Sequence, residues 1–309
     1  GVFLSGIRRI GKTTFLRQDL IPALEAMGAL VIYVDLWSDR SKSAASLVHE
    51  SVRKTLSELS SHGAKLVDRL KAMNVGAAGF TFGFQIDAIG KPGGATLSEV
   101  FTELIDKAKT DVVLIVDEVQ QALGTEDGSN LLFALKAARD AVNTRPNTPG
   151  HLLFLGTGSH KSLVADMATR RSQPFAGAVS TGYEPLGADF VDWKHAQIHQ
   201  ISGIKLPSKE VMYQGFLAVG QRPEELQNAL TLLQSRPEAP DLAFPIICTT
   251  LASAAADVEI ANIEALGGLA SAIFDRIVQG GESGGSGLFS SDAINHYSEL
   301  IGMTVDTPQ

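Results

Sequence analysis

A single cysteine, Cys248, stands among 309 residues. It leaves no internal disulfide to form, and a reducing cytoplasm is the expected setting. Positive charge is also short: the formal net charge is -8. Non-specific nucleic-acid binding is therefore not the default reading, although a local basic patch stays open. No run of about 18 uncharged apolar residues occurs, so no membrane span is expected. The nearest stretch, FPIICTTLASAAADVEIANIEALGGLASAIF, is interrupted by Asp257, Glu259 and Glu264, and is expected to form a buried or amphipathic helix. The seven histidines are scattered. His195 and His199 share a helix face, but no cysteine or acid pair completes a metal set, so a solvated face is expected. No nucleophile-elbow serine appears, and covalent hydrolytic chemistry has no support. An initiator methionine and a signal peptide are missing too. The chain opens inside a strand, GVFLS, and is expected to be a fragment or to lack its first segment.

What is present is ample core material. The chain is 44% hydrophobic with only 6% aromatics, enough for one large domain plus one or two small ones. Short β-branched runs alternate with longer helical patterns over the first 190 or so residues, the mark of βαβ units around a parallel sheet. Strands are expected at GVFLS, LVIYVDLW (30–37), DVVLIVDE (111–118), HLLFLGTGS (151–159) and near AVSTGYEPL. FTFGFQI (80–86) alternates like a half-exposed strand of an insertion. Helices are expected at SAASLVHESVRKTLSEL, at TLSEVFTELIDKAK with its capping box, around NLLFALKAARDAV, and near KSLVADMATRR. Beyond Asp189 the pattern turns helical, as in SKEVMYQGFLAV and RPEELQNALTLLQ. QGGESGGSG (279–287) reads as a flexible linker. One amphipathic helix follows, stopped at Gly302, and the closing Thr307-Pro308 suits the start of another helix. That pattern leads to the expectation of a cut-off helix-turn-helix or winged-helix module.

The chemistry concentrates in GIRRIGKTTF (6–15). Gly6-x-x-x-x-Gly11-Lys12-Thr13 fits the phosphate-loop pattern in full, with Ile7, Arg8, Arg9 and Ile10 inside and Thr14 following. The glycines let the backbone wrap closely and aim its amides at phosphate oxygens. Lys12 would reach the β- and γ-phosphates, and the Thr13 hydroxyl would ligate Mg2+. The helix TTFLRQDLIPALEAM then turns its positive end toward the anion. A buried strand ending in Asp117 supplies the acid that holds Mg2+ through its water shell. Glu118, directly after it, is the right group to polarise an attacking water. Together these describe a site for ATP and Mg2+. For Arg8 and Arg9, a structural or interface role is favoured for at least one, and phosphate contact by either stays open. Trp37 reads as a packing or surface anchor rather than a base-stacking platform.

GIRRIGKTT, VIYVDLW, VDEVQQAL and FLGTGSHKSL together resemble the archaeal-type ATPases, a branch of the AAA+/STAND P-loop proteins. The resemblance covers about residues 1 to 230. It implies an α/β P-loop fold with sheet order 5-1-4-3-2, helices on both sides and ATP at the carboxyl ends of the strands. With the element pattern along the chain, the expected division is an ATPase core at 1–188, a helical lid at 189–279, and a linker with the start of a possible winged-helix module at 280–309. Carried over by position, Thr157 or Ser159 would sense the γ-phosphate. Arg170 or Arg171 would act as a finger toward a neighbouring copy in a homo-oligomer, with a basic helix end as the plain alternative. Arg222 in VGQRPEEL would be the lid arginine, or simply precede a helix with Pro223 at its first position. An ATP-driven movement read by a lid or a protein partner follows from this resemblance. A slow nucleotide-held switch and an ATP-tuned DNA-binding regulator remain alternatives. Two departures stand out. The segment that helps hold adenine in similar proteins would lie before Gly1, and QPFAGAVS lacks an obvious arginine before the fifth strand.

Overall fold

The computed structural model describes residues 1–61, 80–201, 205–235, 238–283 and 285–302. The chain divides into two compact units, Gly1–Leu186 and Gly187–Gln309. Five strands build the first: β1 (Val2–Ser5), β2 (Leu30–Asp35), β3 (Val112–Asp117), β4 (Leu152–Gly158) and β5 (Val179–Gly182). All pair in parallel, in the order β2-β3-β4-β1-β5. This is the expected order, read from the other edge.

Strand burial follows position in the sheet. All six residues of β3 are buried, because helices cover both faces of a central parallel strand. Val112, Leu114 and Val116 join the larger core cluster on one face. Val113 and Ile115 join Leu16, Phe15, Leu20 and Tyr33 on the other. That second face is covered by a helical run that begins as α1 (Lys12–Phe15), passes through a π-turn (Leu16–Leu20) and continues as α2 (Ile21–Ala26). The larger cluster draws on α3 (Ala44–Ser60), α4 (Leu97–Ala108), α5 (Glu126–Asn143) and α6 (Lys161–Thr169). Thr96 and Glu99 form the expected capping box at the start of α4, satisfying two orphan amides.

The expected strand at 80–86 is not there. Phe80, Phe82, Phe84 and Ile86 do pack against the core on alternate positions, and the rings of Phe82 and Phe84 stack at 5.5 Å. The backbone finds no ladder, however. The Gly83 amide donates to the Glu103 carboxylate at 2.7 Å, and the Phe80 amide to the Leu59 carbonyl at 3.0 Å. Alternation here reports one-sided burial, not strand pairing.

The second unit is helical: α7 (Ala188–His199), α8 (Lys209–Ala218), α9 (Pro223–Gln234), α10 (Pro240–Ala265), α11 (Gly268–Gly280) and α12 (Ser291–Ile301). Met212, Phe216, Leu226, Leu230, Leu233, Phe244 and Cys248 are buried within it. The expectation for the apolar stretch beginning at Phe244 needs correction. It lies in α10 and α11, and α10 buries only Phe244 and Cys248, leaving Leu242, Ile246, Val258 and Ile260 exposed. That helix is long and apolar enough to cross a membrane by length and composition, with a mean hydropathy of 1.4 over its best window. The stretch read as a linker is also partly ordered. Helix α11 runs to Gly280, and a 3-10 turn covers Gly281–Ser283. The expected helix after it is α12, closed by Gly302 in the left-handed conformation. Residues 303–309, which hold the Thr-Pro read as a further helix start, lie outside the described residues.

Candidate functional site

The phosphate-loop segment joins β1 to α1, with Gly11 capping the helix at φ 99°. Arg9, at φ 66°, lies in the left-handed region as well. For a side chain larger than hydrogen this costs about 1–2 kcal/mol, and such outliers gather where a loop is shaped for a ligand. Gly6 is needed for a different reason. A Cβ there would stand 2.8 Å from Ile10 Cδ1 and 3.0 Å from the Tyr183 carbonyl oxygen. Lys12 is buried, and its Nζ donates to the carbonyls of Gly6 at 2.6 Å and Ile7 at 2.8 Å. Burial pushes its pKa down, Glu118 and Asp117 oppose that, and Arg8 adds to it. Thr14 follows on α1.

Asp117 ends β3 with both oxygens engaged. Thr13 Oγ1 donates to Oδ2 at 2.7 Å, and the Tyr33 hydroxyl donates to the same oxygen at 3.0 Å. Oδ1 accepts from Thr157 Oγ1 and from the Glu118 amide, the latter at 3.1 Å. Burial raises the Tyr33 pKa above its ordinary value. The Asp117 charge and hydrogen bond add to this, and Arg17 works against it. The phenol therefore stays a donor. A threonine hydroxyl beside a carboxylate is a pair of hard oxygen donors next to a lysine, and this donor chemistry fits Mg2+ with a phosphate chain.

Glu118 follows at φ 56°, a second non-glycine residue in the left-handed region. Its Oε2 accepts from Ser159 Oγ at 2.9 Å, from the Ser159 amide at 3.3 Å and from Gln120 Nε2. Ser159 Oγ in turn accepts from Gln120 Nε2 at 3.2 Å and from Arg8 Nε at 3.4 Å. Gln120 is 5% exposed, and its Oε1 finds no donor among the described residues. A buried orphan acceptor of this kind costs about 1–3 kcal/mol.

The carboxyl ends of β1, β3 and β4 thus bring Lys12, Thr13, Asp117, Glu118, Thr157 and Ser159 together. Arg8 lies over the Trp37 ring at 4.4 Å, and Arg40 over the same ring at 5.2 Å. That accords with an anchoring role for Trp37. Arg170 falls just past α6 and pairs with Asp166 at 3.5 Å. Arg171 beside it is exposed. Arg222 belongs to the second unit. There it precedes α9 with Pro223 at the first turn, and its Nε is buried without a partner among the described residues. It lines a cleft of about 240 Å3 with Glu225, Ala252, Ala255 and Glu259. His195 Nε2 lies 3.1 Å from the Pro207 carbonyl.

Tyr33 and the contacts of Gln120 were not singled out by sequence reasoning. Tyr33 left a faint signal, a polar-tipped ring inside an otherwise apolar strand. Gln120 is the first glutamine of VDEVQQAL, a segment quoted for the resemblance with no role given to that residue.

No curated protein matches this sequence. Among solved structures, the ADP form of the Aeropyrum pernix ORC2 protein is similar at 12% identity and a TM-score of 0.57. The match covers 97% of this chain and 72% of that one. The same protein in its ADPNP–ADP complexes matches at 15% identity and a TM-score of 0.54, over 100% and 76%. At such identities the likeness is one of fold. Residues 2–171 match the family described as the ATPase domain predominantly from Archaea, a span that takes in the ends of β1, β3 and β4 that build the site. The chain belongs to that family of ATPase domains.

Proposed function

We propose that this chain binds ATP with Mg2+ and hydrolyses it, with its nucleotide state driving movement of the helical unit or of a partner. The observation that carries the reading is the meeting of Thr13, Asp117 and Lys12 at one end of the sheet, with Glu118 beside them. ATP and Mg2+ would bring the phosphoryl group and the charge that makes it electrophilic. The amides of residues 6–14 and the Lys12 ammonium would hold the phosphates, with Arg8 and Arg9 at the rim of the loop. Thr13 and Asp117 would hold the metal. Glu118 would accept the proton of an attacking water, and Thr157 and Ser159 would register the terminal phosphate. Arg222 carries the sensing role of the helical unit in the same proposal. Arg170 or Arg171 carries that of a finger offered to a neighbouring copy. The buried free Cys248 suits a cytoplasmic setting.

A switch that holds ATP with little turnover uses the same residues. Steady-state turnover beside ATP affinity separates the two for wild type, Lys12→Ala and Glu118→Gln. The hydrolysis reading expects Lys12→Ala to lose binding, and Glu118→Gln to keep binding while turnover falls at least about 100-fold. Wild-type turnover no faster than that of Glu118→Gln would sink the hydrolysis reading for the chain alone and leave the switch, or an ATPase waiting for a neighbour's arginine.

A further inference from the structure

Gln120 opens the short 3-10 turn Val119–Gly124 that follows Glu118. Its two amide protons are fully used, one on Glu118 Oε2 and one on Ser159 Oγ. Its Oε1 has no donor, and it occupies the space that a Cβ on residue 158 would need, so the glycine at that position is what admits the side chain. A buried glutamine with one orphan acceptor packs worse than leucine or methionine of similar volume. What the glutamine contributes is therefore its Nε2. That nitrogen acts on Glu118, whose left-handed backbone conformation persists only where neighbours over-determine it. Ser159 completes the arrangement. Its hydroxyl donates to Glu118 while accepting from Gln120 and from Arg8 of the phosphate loop.

We propose that Gln120 is a positioning residue, which fixes the Glu118 carboxylate against Ser159 and through Ser159 ties it to Arg8. The inference rests on the hydrolysis reading, in which Glu118 accepts the proton of the attacking water. Loss of the Nε2 donor frees the carboxylate to rotate away from the water it must face, and misplacements of about 1 Å lower rates about 100-fold.

The test compares wild type, Gln120→Met, Gln120→Glu, Glu118→Gln and the double variant Glu118→Gln/Gln120→Met in the full chain. Turnover, ATP affinity and melting temperature are measured for each. Methionine keeps the volume and removes the donor, whereas glutamate sets a like charge against Glu118. The expected result is turnover down about 10- to 100-fold in both single Gln120 variants, with ATP affinity within about twofold of wild type. In the double variant Gln120→Met should add no further loss, because the residue acts only through Glu118. Turnover of Gln120→Met within about twofold of wild type would overturn the positioning role. So would a loss that tracks weakened ATP binding or melting, or one that persists undiminished on the Glu118→Gln background. Wild-type turnover equal to that of Glu118→Gln overturns the hydrolysis reading itself, a distinct result because it appears before any Gln120 variant is considered.

Discussion

Tyr33 reaches Asp117 from β2, the neighbouring strand, where Asp35 and Asp117 stand in register. Its hydroxyl is one of four donors on that carboxylate, and hydrogen bonds to a charged acceptor are worth about 1.5–3 kcal/mol each. Tyr33→Phe should lower unfolding stability by about that amount in urea, with the fold and the remaining three donors intact. A change below about 0.5 kcal/mol would show that the other donors already satisfy Asp117. The contrast with Lys12, Thr13, Asp117 and Glu118 is instructive. Those four are legible because phosphate chemistry demands them at fixed local spacing, after a strand and before a helix. Tyr33 lies 84 positions from its partner Asp117, and Gln120 lies 39 from Ser159, the second of its partners. Nothing in local spacing encodes such pairs, since they arise only when parallel strands bring distant carboxyl ends side by side.

Strands and helices were readable for a related reason: buried apolar runs, helical spacing and caps are local. β3 carries six apolar or strand-ending residues in a row because it is covered on both faces. The helix caps at Thr96 and Gly302 sit where the sequence places them. Two segments read differently because the sequence pattern reports which side chains are buried, not what the backbone pairs with. Residues 80–86 alternate through one-sided packing without a ladder. Helix α10 is apolar yet mostly uncovered within the described residues, so composition alone did not fix its burial. Within β4, Gly158 is an element-level requirement. The strand must present Thr157 and Ser159 on either side of a residue with no Cβ, since one would lie 2.6 Å from Val164 Cγ2 and would also meet the Gln120 side chain. Overpacking of this kind costs about 1–3 kcal/mol. Gly158→Ala should therefore lose that much unfolding free energy, measured by urea denaturation. Stability equal to wild type would mean that Gln120 and Val164 have room to withdraw.

For the molecule as a whole, the site residues from Gly6 to Ser159 lie in the unit Gly1–Leu186, whereas α7 to α12 form the other. A ligand that binds only the folded form stabilises the unit that holds it, by about 2.7 kcal/mol at a hundredfold excess over its dissociation constant. For a unit of this size each kcal/mol raises the melting midpoint by about 2–4 °C. ATP with Mg2+ should therefore lift the transition of the first unit by about 5–10 °C in scanning calorimetry of the full chain. Lys12→Ala should remove that rise, because the variant loses the ammonium that lies against the loop. Arg222→Ala tests the coupling claim separately. A wild-type-sized shift in that variant would limit nucleotide binding to the first unit, and a reduced shift would show that the helical unit contributes binding energy. An equal rise in Lys12→Ala would be the damaging result. It would mean that ATP is held somewhere other than the loop between β1 and α1, and the assignment of Thr13, Asp117 and Glu118 to nucleotide chemistry would fall with it.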